Sequence, residues 1–102
     1  MAPAGRLNYD AGMTIRVEFF GIARQRAGVA MASIELPADA TLAGVFAELS
    51  ARLPGFGDGC LRNGQLAPTL AANLGGERFV TDPSTPINPG DCLLILSADA
   101  GG

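Results

Sequence analysis

The segment TLAGVFAELSARL, residues 41–53, limits the possible architecture more than any other stretch. Leu42, Val45, Phe46, Leu49 and Leu53 recur at the i, i+3, i+4, i+7 spacing that lines one side of a helix with apolar groups. Thr41 stands where an N-cap is needed, Asp39 lies near the positive helix end, and Pro54-Gly55 predicts the stop. No second stretch of comparable length carries this period. A single long helix has one apolar stripe to bury, so its partner must be a sheet, and the helix covers one face of it.

The strands are predicted by period-two patterns. TIRVEFF at 14–20 alternates, with Ile15, Val17 and Phe19 on one side and Thr14, Arg16, Glu18 and Phe20 on the other. AMASIEL at 30–36 alternates again and is closed by Pro37, which cannot donate to a ladder. Between them GIARQRAG, 21–28, predicts a short helical turn. After the helix, hairpin patterns follow, the clearer in APTLAANLGGERFV at 67–80 with Gly75-Gly76 at its turn. DPSTPINPGD, 82–91, is a turn-rich connection, and CLLIL, 92–96, is the last strand. The order predicts an α+β domain: a mixed sheet of four to five strands covered on one face by one main helix. Contacts between the first and last strands are then the longest-range in the chain. Residues 1–13 lack any apolar period and are expected to be a disordered extension. The domain is expected over 14–96, with a flexible tail at 97–102.

Composition excludes several kinds of chemistry. Among 102 residues there is no His and no Lys, and all seven cationic side chains are Arg. Without His, the usual base, proton shuttle and metal ligand are missing. Without Lys, Schiff-base chemistry and a phosphate-loop lysine are missing too. GFGDG at 55–59 is therefore expected to be a flexible loop rather than a phosphate cradle. Glu77 and Asp82 are expected to be surface charges. Cys60 and Cys92 are too far apart for a CxxC motif. Cys92, inside an apolar run, is expected as a buried thiol, and Cys60, in a glycine-rich stretch, as the more exposed one. The net charge of −3 with no dense basic cluster argues against nucleic acid. No apolar run approaches a membrane span and no signal pattern opens the chain, which points to a cytoplasmic protein with no membrane attachment. A self-contained enzyme is not expected.

The last strand is apolar on both sides, although a sheet covered on one face needs only one apolar side. Leu93 and Ile95 are assigned to the core, and Leu94 and Leu96 to the open face together with Phe20. An exposed patch of this kind marks a partner site. The alternative is that segment 55–68 folds over it. Beyond the patch, SADAGG at 97–102 carries almost no side-chain bulk in Ala98, Ala100, Gly101 and Gly102, and spans roughly 20 Å when extended. With 14 glycines in the chain, a final Gly-Gly says little by itself.

Taken in order, TIRVEFFGIARQRAG, the helix opened by ADATL and closed by LPG, TPINPGD before the last strand, and LSADAGG resemble the ubiquitin-like sulfur carriers, the MoaD/ThiS family. The resemblance spans residues 14–102 and is nearest to the molybdopterin synthase small subunit. It implies a β-grasp fold and chemistry at Gly102. A ubiquitin-activating-type adenylyltransferase would use ATP and magnesium to convert the Gly102 carboxylate to an acyl-adenylate. A sulfur donor, a persulfide on a rhodanese or desulfurase, would then yield a thiocarboxylate. Gly101 would let the tail thread, and Phe20, Leu94, Leu96, Ala98 and Ala100 would meet the partner. The acceptor would be an enzyme such as the molybdopterin synthase large subunit, and the carrier itself would bind no cofactor or metal. Asp99 and the Ser97-Ala98 pair depart from the usual tail of that subunit. They leave open a carrier for cysteine, thiamine, tRNA or natural-product thiolation, or a ubiquitin-like modifier joined through Gly102 to other proteins.

Overall fold

The computed structural model describes residues 12–99. Five strands form one mixed sheet in the order β2-β1-β7-β5-β6. These are β1 (Gly12–Phe19), β2 (Met31–Pro37), β5 (Leu70–Leu74), β6 (Arg78–Val80) and β7 (Cys92–Ser97). A separate two-stranded ribbon joins β3 (Leu61–Arg62) to β4 (Gln65–Leu66). β1 and β7 pair in parallel, with Val17 opposite Leu93 and Phe19 opposite Ile95, while the other sheet pairings are antiparallel. The first and last strands thus lie side by side at the centre. The turn between β5 and β6 is made by Gly75 and Gly76, at φ 65° and 77°, a left-handed geometry that residues with a Cβ avoid. Strand β1 begins two residues ahead of the expected domain start, and Met13 is part of the core.

One sheet face is packed. Ile15, Val17 and Phe19 of β1, Ile34 and Leu36 of β2, and Leu93 and Ile95 of β7 are buried against α2 (Leu42–Arg52). The expected stripe supplies Leu42, Val45, Phe46 and Leu49, all buried, with Leu53 partly so. Two further helices complete the cover: α1 (Gly21–Ala27) and α3 (Pro54–Cys60). The second corrects an expectation, because GFGDG is helical rather than a flexible loop. Pro54 starts the helix at a position where its missing N–H costs nothing. Phe56 is fully buried, edge-on to Phe19 with ring centroids 5.6 Å apart. The glycines permit close approach: a Cβ on Gly55 would overlap the carbonyl oxygen of Arg26. Arg26 Nη1 in turn donates to the Gly59 carbonyl at 2.7 Å, a cation at the negative helix end.

Thr41 does occupy the N-cap of α2, but its side chain makes no capping hydrogen bond. The connection 82–91 does that work. The amides of Leu42 and Ala43 donate to the carbonyls of Thr85 and Pro83 at 2.9 and 3.0 Å. Asp82 organises this loop by accepting from the backbone N–H and the hydroxyl of Ser84, at 2.9 and 2.7 Å. Those bonds hold the Asp82 carboxyl below its ordinary pKa.

Candidate functional site

Among the described residues, no helix lies on the other face of the sheet. By register, one row crosses all five strands: Met31, Glu18, Leu94, Asn73 and Phe79. The next row towards the end of β7 contains Leu96 opposite Ala71, with Phe20 extending β1 at φ −129°. Met31, Phe20 and Phe79 are 49%, 45% and 50% exposed, and Leu94 and Leu96 are half-buried. Leu93 and Ile95 are fully buried on the opposite side, so the strand is divided between faces as its alternation predicts. Segment 55–68 does not form the alternative cover: α3 packs against α1 and α2, and Leu61 and Leu66 lie against the core. Leu74 is a core residue.

The face is polarised along its length. Near the start of β7 it is polar: Arg16 lies opposite Ser33 and Cys92, and Thr14 opposite Glu35. Arg16 Nε bonds Glu18 Oε2 at 3.1 Å, and the Cys92 thiol donates to the same oxygen at 3.6 Å. Cys92 first, and then the carboxylate of Glu18, favour the charged guanidinium of Arg16 and raise its pKa. Towards the end of β7 the face becomes apolar. The two cysteines are the reverse of the expectation. Cys60 is fully buried at the end of α3, where desolvation pushes its thiol up, while Cys92 is half-exposed on the open face.

The chain leaves the sheet at this apolar end. Ser97, expected in the tail, still belongs to β7 opposite Leu70, and the Ala98 amide donates to the Thr69 carbonyl at 2.9 Å. Ala98 is half-buried and Asp99 exposed. Phe20, Leu94, Leu96 and Ala98 are therefore brought to one end of one face. Ala100, Gly101 and Gly102 lie outside the described residues. Sequence reasoning missed Met31, Ala71, Asn73 and Phe79 on this face, although period two within 30–36 and 70–74 contained the signal for the first three. Asn73 is 7% exposed, and its Oδ1 is buried without a hydrogen-bond partner.

At the β5–β6 edge, reaching Ala71 and Phe79 of this face, an apolar cleft of about 300 Å3 lies beside α2, lined also by Leu42, Phe46, Leu66 and Val80. No titratable side chain lines it, so it offers no acid, base or nucleophile. Among the described residues, no group of three His, Cys, Asp or Glu side chains is placed to hold a metal ion. No helix among them is long and apolar enough to cross a membrane.

No protein-family model matches the sequence, and no curated protein matches it. Solved structures do match. The small archaeal modifier protein 1 of H. volcanii is similar over 82% of this chain and 95% of its own, with 18% identity and a TM-score of 0.71. A Pyrococcus furiosus protein assigned as molybdopterin converting factor subunit 1 is similar over 83% and 97%, with 23% identity and a TM-score of 0.69. A chain of the BexX/CysO complex of Amycolatopsis orientalis is similar over 86% and 99%, with 22% identity and a TM-score of 0.64. At these identities the likeness establishes the fold, which is the ubiquitin-like β-grasp.

Proposed function

We propose that this chain is a sulfur carrier that works through Gly102 as its terminal residue. The observation that carries the reading is a β-grasp domain whose central last strand ends beside an apolar, uncovered sheet face. A partner seated on that face would receive the following residues directly. The Gly102 carboxylate is a poor electrophile, so its oxygen attacks the α-phosphorus of ATP on a ubiquitin-activating-type adenylyltransferase. Magnesium assists there, and pyrophosphate leaves. The terminal sulfur of a donor persulfide then attacks the acyl carbon and expels AMP. A second thiol cleaves the resulting S–S bond, leaving the thiocarboxylate on Gly102. The carrier contributes no acid, base or metal, in keeping with a chain that lacks His and Lys. Its domain converts a diffusing sulfur into one held at high effective concentration against an acceptor. Molybdopterin formation is the pathway favoured, supported by the likeness to a molybdopterin converting factor subunit and by FFGIARQRAG at 19–28.

The second reading is a protein modifier joined through Gly102 to other proteins, favoured by the likeness to small archaeal modifier proteins. Because this chain has no Lys, it cannot form isopeptide chains on its own lysines, which argues against ubiquitin-like polymers but not against single attachment. Intact mass of the protein made in its own host separates the readings. The replacement of one oxygen by sulfur is expected for the carrier, and high-mass conjugates are expected for the modifier. Deletion of Gly102 should abolish AMP formation by the cognate adenylyltransferase. Unchanged AMP formation would overturn the assignment of Gly102.

A further inference from the structure

Asn73 stands on the uncovered face one strand in from its β6 edge, between Leu94 of β7 and Phe79 of β6 in the cross-strand register. It is the only buried polar or charged residue among those described. Its Oδ1 has neither a protein partner nor contact with solvent. A carbonyl oxygen in that position has lost water and gained nothing, and natural folds keep such groups only where something compensates. An apolar side chain of the same size would be the better choice for the isolated domain.

We propose that Asn73 is the polar anchor of the docking face, its Oδ1 accepting a hydrogen bond from a neutral N–H on an apolar surface of the adenylating partner. The inference rests on the reading of this face as the docking site. A neutral donor, such as a backbone amide or a side-chain carboxamide, follows from the surroundings. The carboxylate on the same row, Glu18, lies one strand beyond Leu94 and already bonds Arg16. A cation brought to Asn73 would thus be buried among Leu94, Phe79 and Ala71 without a countercharge, at high desolvation cost. Phe79 lies directly opposite Asn73 on the short edge strand and is half exposed, so a rotamer change of this one side chain opens the way. The lone acceptor destabilises the free domain and is satisfied only by a partner carrying the matching donor, while an apolar surface without one would seal it again. That makes Asn73 a determinant of which partner binds as well as how tightly.

The test measures affinity of the full chain for the adenylyltransferase of its own host, alongside thermal unfolding of the free protein. Asn73→Leu should unfold at the same or a higher temperature than the parent, yet bind about tenfold more weakly, the loss of one buried hydrogen bond. Leu96→Glu, which charges the same face, should lose binding whatever Asn73 does. If Leu96→Glu binds weakly but Asn73→Leu binds like the parent, the anchor is overturned and the docking face stands. If Leu96→Glu binds like the parent, the docking reading itself fails, and the anchor with it. Should leucine disturb the fold, Asn73→Thr and Asn73→Val give the same contrast between two residues of one shape, both suited to a strand. Tighter binding by the threonine variant supports the anchor, and equal affinities overturn it.

Discussion

The two cysteines have opposite surroundings, and each surrounding has a chemical consequence. Cys60 is sealed at the end of α3, where the charged thiolate is disfavoured and the pKa is raised. Below the unfolded-state pKa of a thiol, about 8.5, both states are protonated and the group is neutral to stability. Above it the unfolded chain ionises first, so stability should fall as pH rises towards the folded pKa. Cys60→Ala should remove that alkaline component, as read by urea unfolding on both sides of the thiol range. Under native conditions one thiol, that of Cys92, should react with a disulfide reagent, and the second should appear only on unfolding. Of the two cysteines, the position of Cys92 was legible. Alternation puts Cys92 on the same side as Leu94 and Leu96, so assigning those leucines to the open face already assigned Cys92 there. The apolar run concealed this, because a thiol among leucines is apolar enough to suit either face. Cys60 was concealed by its glycine-rich neighbours. Asn73 was beyond reach from the sequence: its parity was readable, but the loss of solvent at its oxygen depends on neighbours from other strands, and the sheet order alone sets it between Leu94 and Phe79.

At the scale of the elements, the sequence was clearest where the pattern was long. α2 appears with its stripe intact, and β1, β2 and β7 face the way their alternation predicts. α3 was missed because glycine ordinarily opposes a helix, whereas here it answers a steric demand from α1. Gly55→Ala should accordingly cost about 1–3 kcal/mol in chemical unfolding, since the carbonyl of Arg26 must move. Thr41 is the N-cap of α2 as its position predicts, but the first helix amides bond the Thr85 and Pro83 carbonyls rather than its side chain, a long-range arrangement that a local reading cannot supply. Asp82 supports that arrangement, so Asp82→Ala should lower the melting temperature near neutrality. The carboxyl is depressed in the folded state, so its contribution is present above the ordinary carboxylate range and lost as pH falls through the folded pKa. The difference between parent and variant should therefore vanish in acid.

Over the whole molecule, the sheet separates two tasks. One face holds the domain together, and the other is left for something else to cover. Two leucines of β7 on opposite faces should show this division directly. Leu93→Ala should cost about 2–5 kcal/mol of stability, as a buried leucine does. Leu96→Glu should cost no more than about 1 kcal/mol, its effect appearing in partner binding instead. Equal losses of stability would mean that the two faces are not distinct. The fold class and the division of β7 could be read from the chain, but the strand order could not. Periodicity states which side of a strand is buried and nothing about which strand lies next to it.

That order has a mechanical consequence. β1 and β7 are parallel neighbours, one carrying the incoming chain at Gly12 and the other the outgoing chain at Ser97. Tension drawn between those points slides the two strands along each other, loading their rungs together instead of peeling them in turn. The centre of the sheet is thus a clamp against traction, and a tug on the outgoing segment is resisted at the point where it leaves the domain.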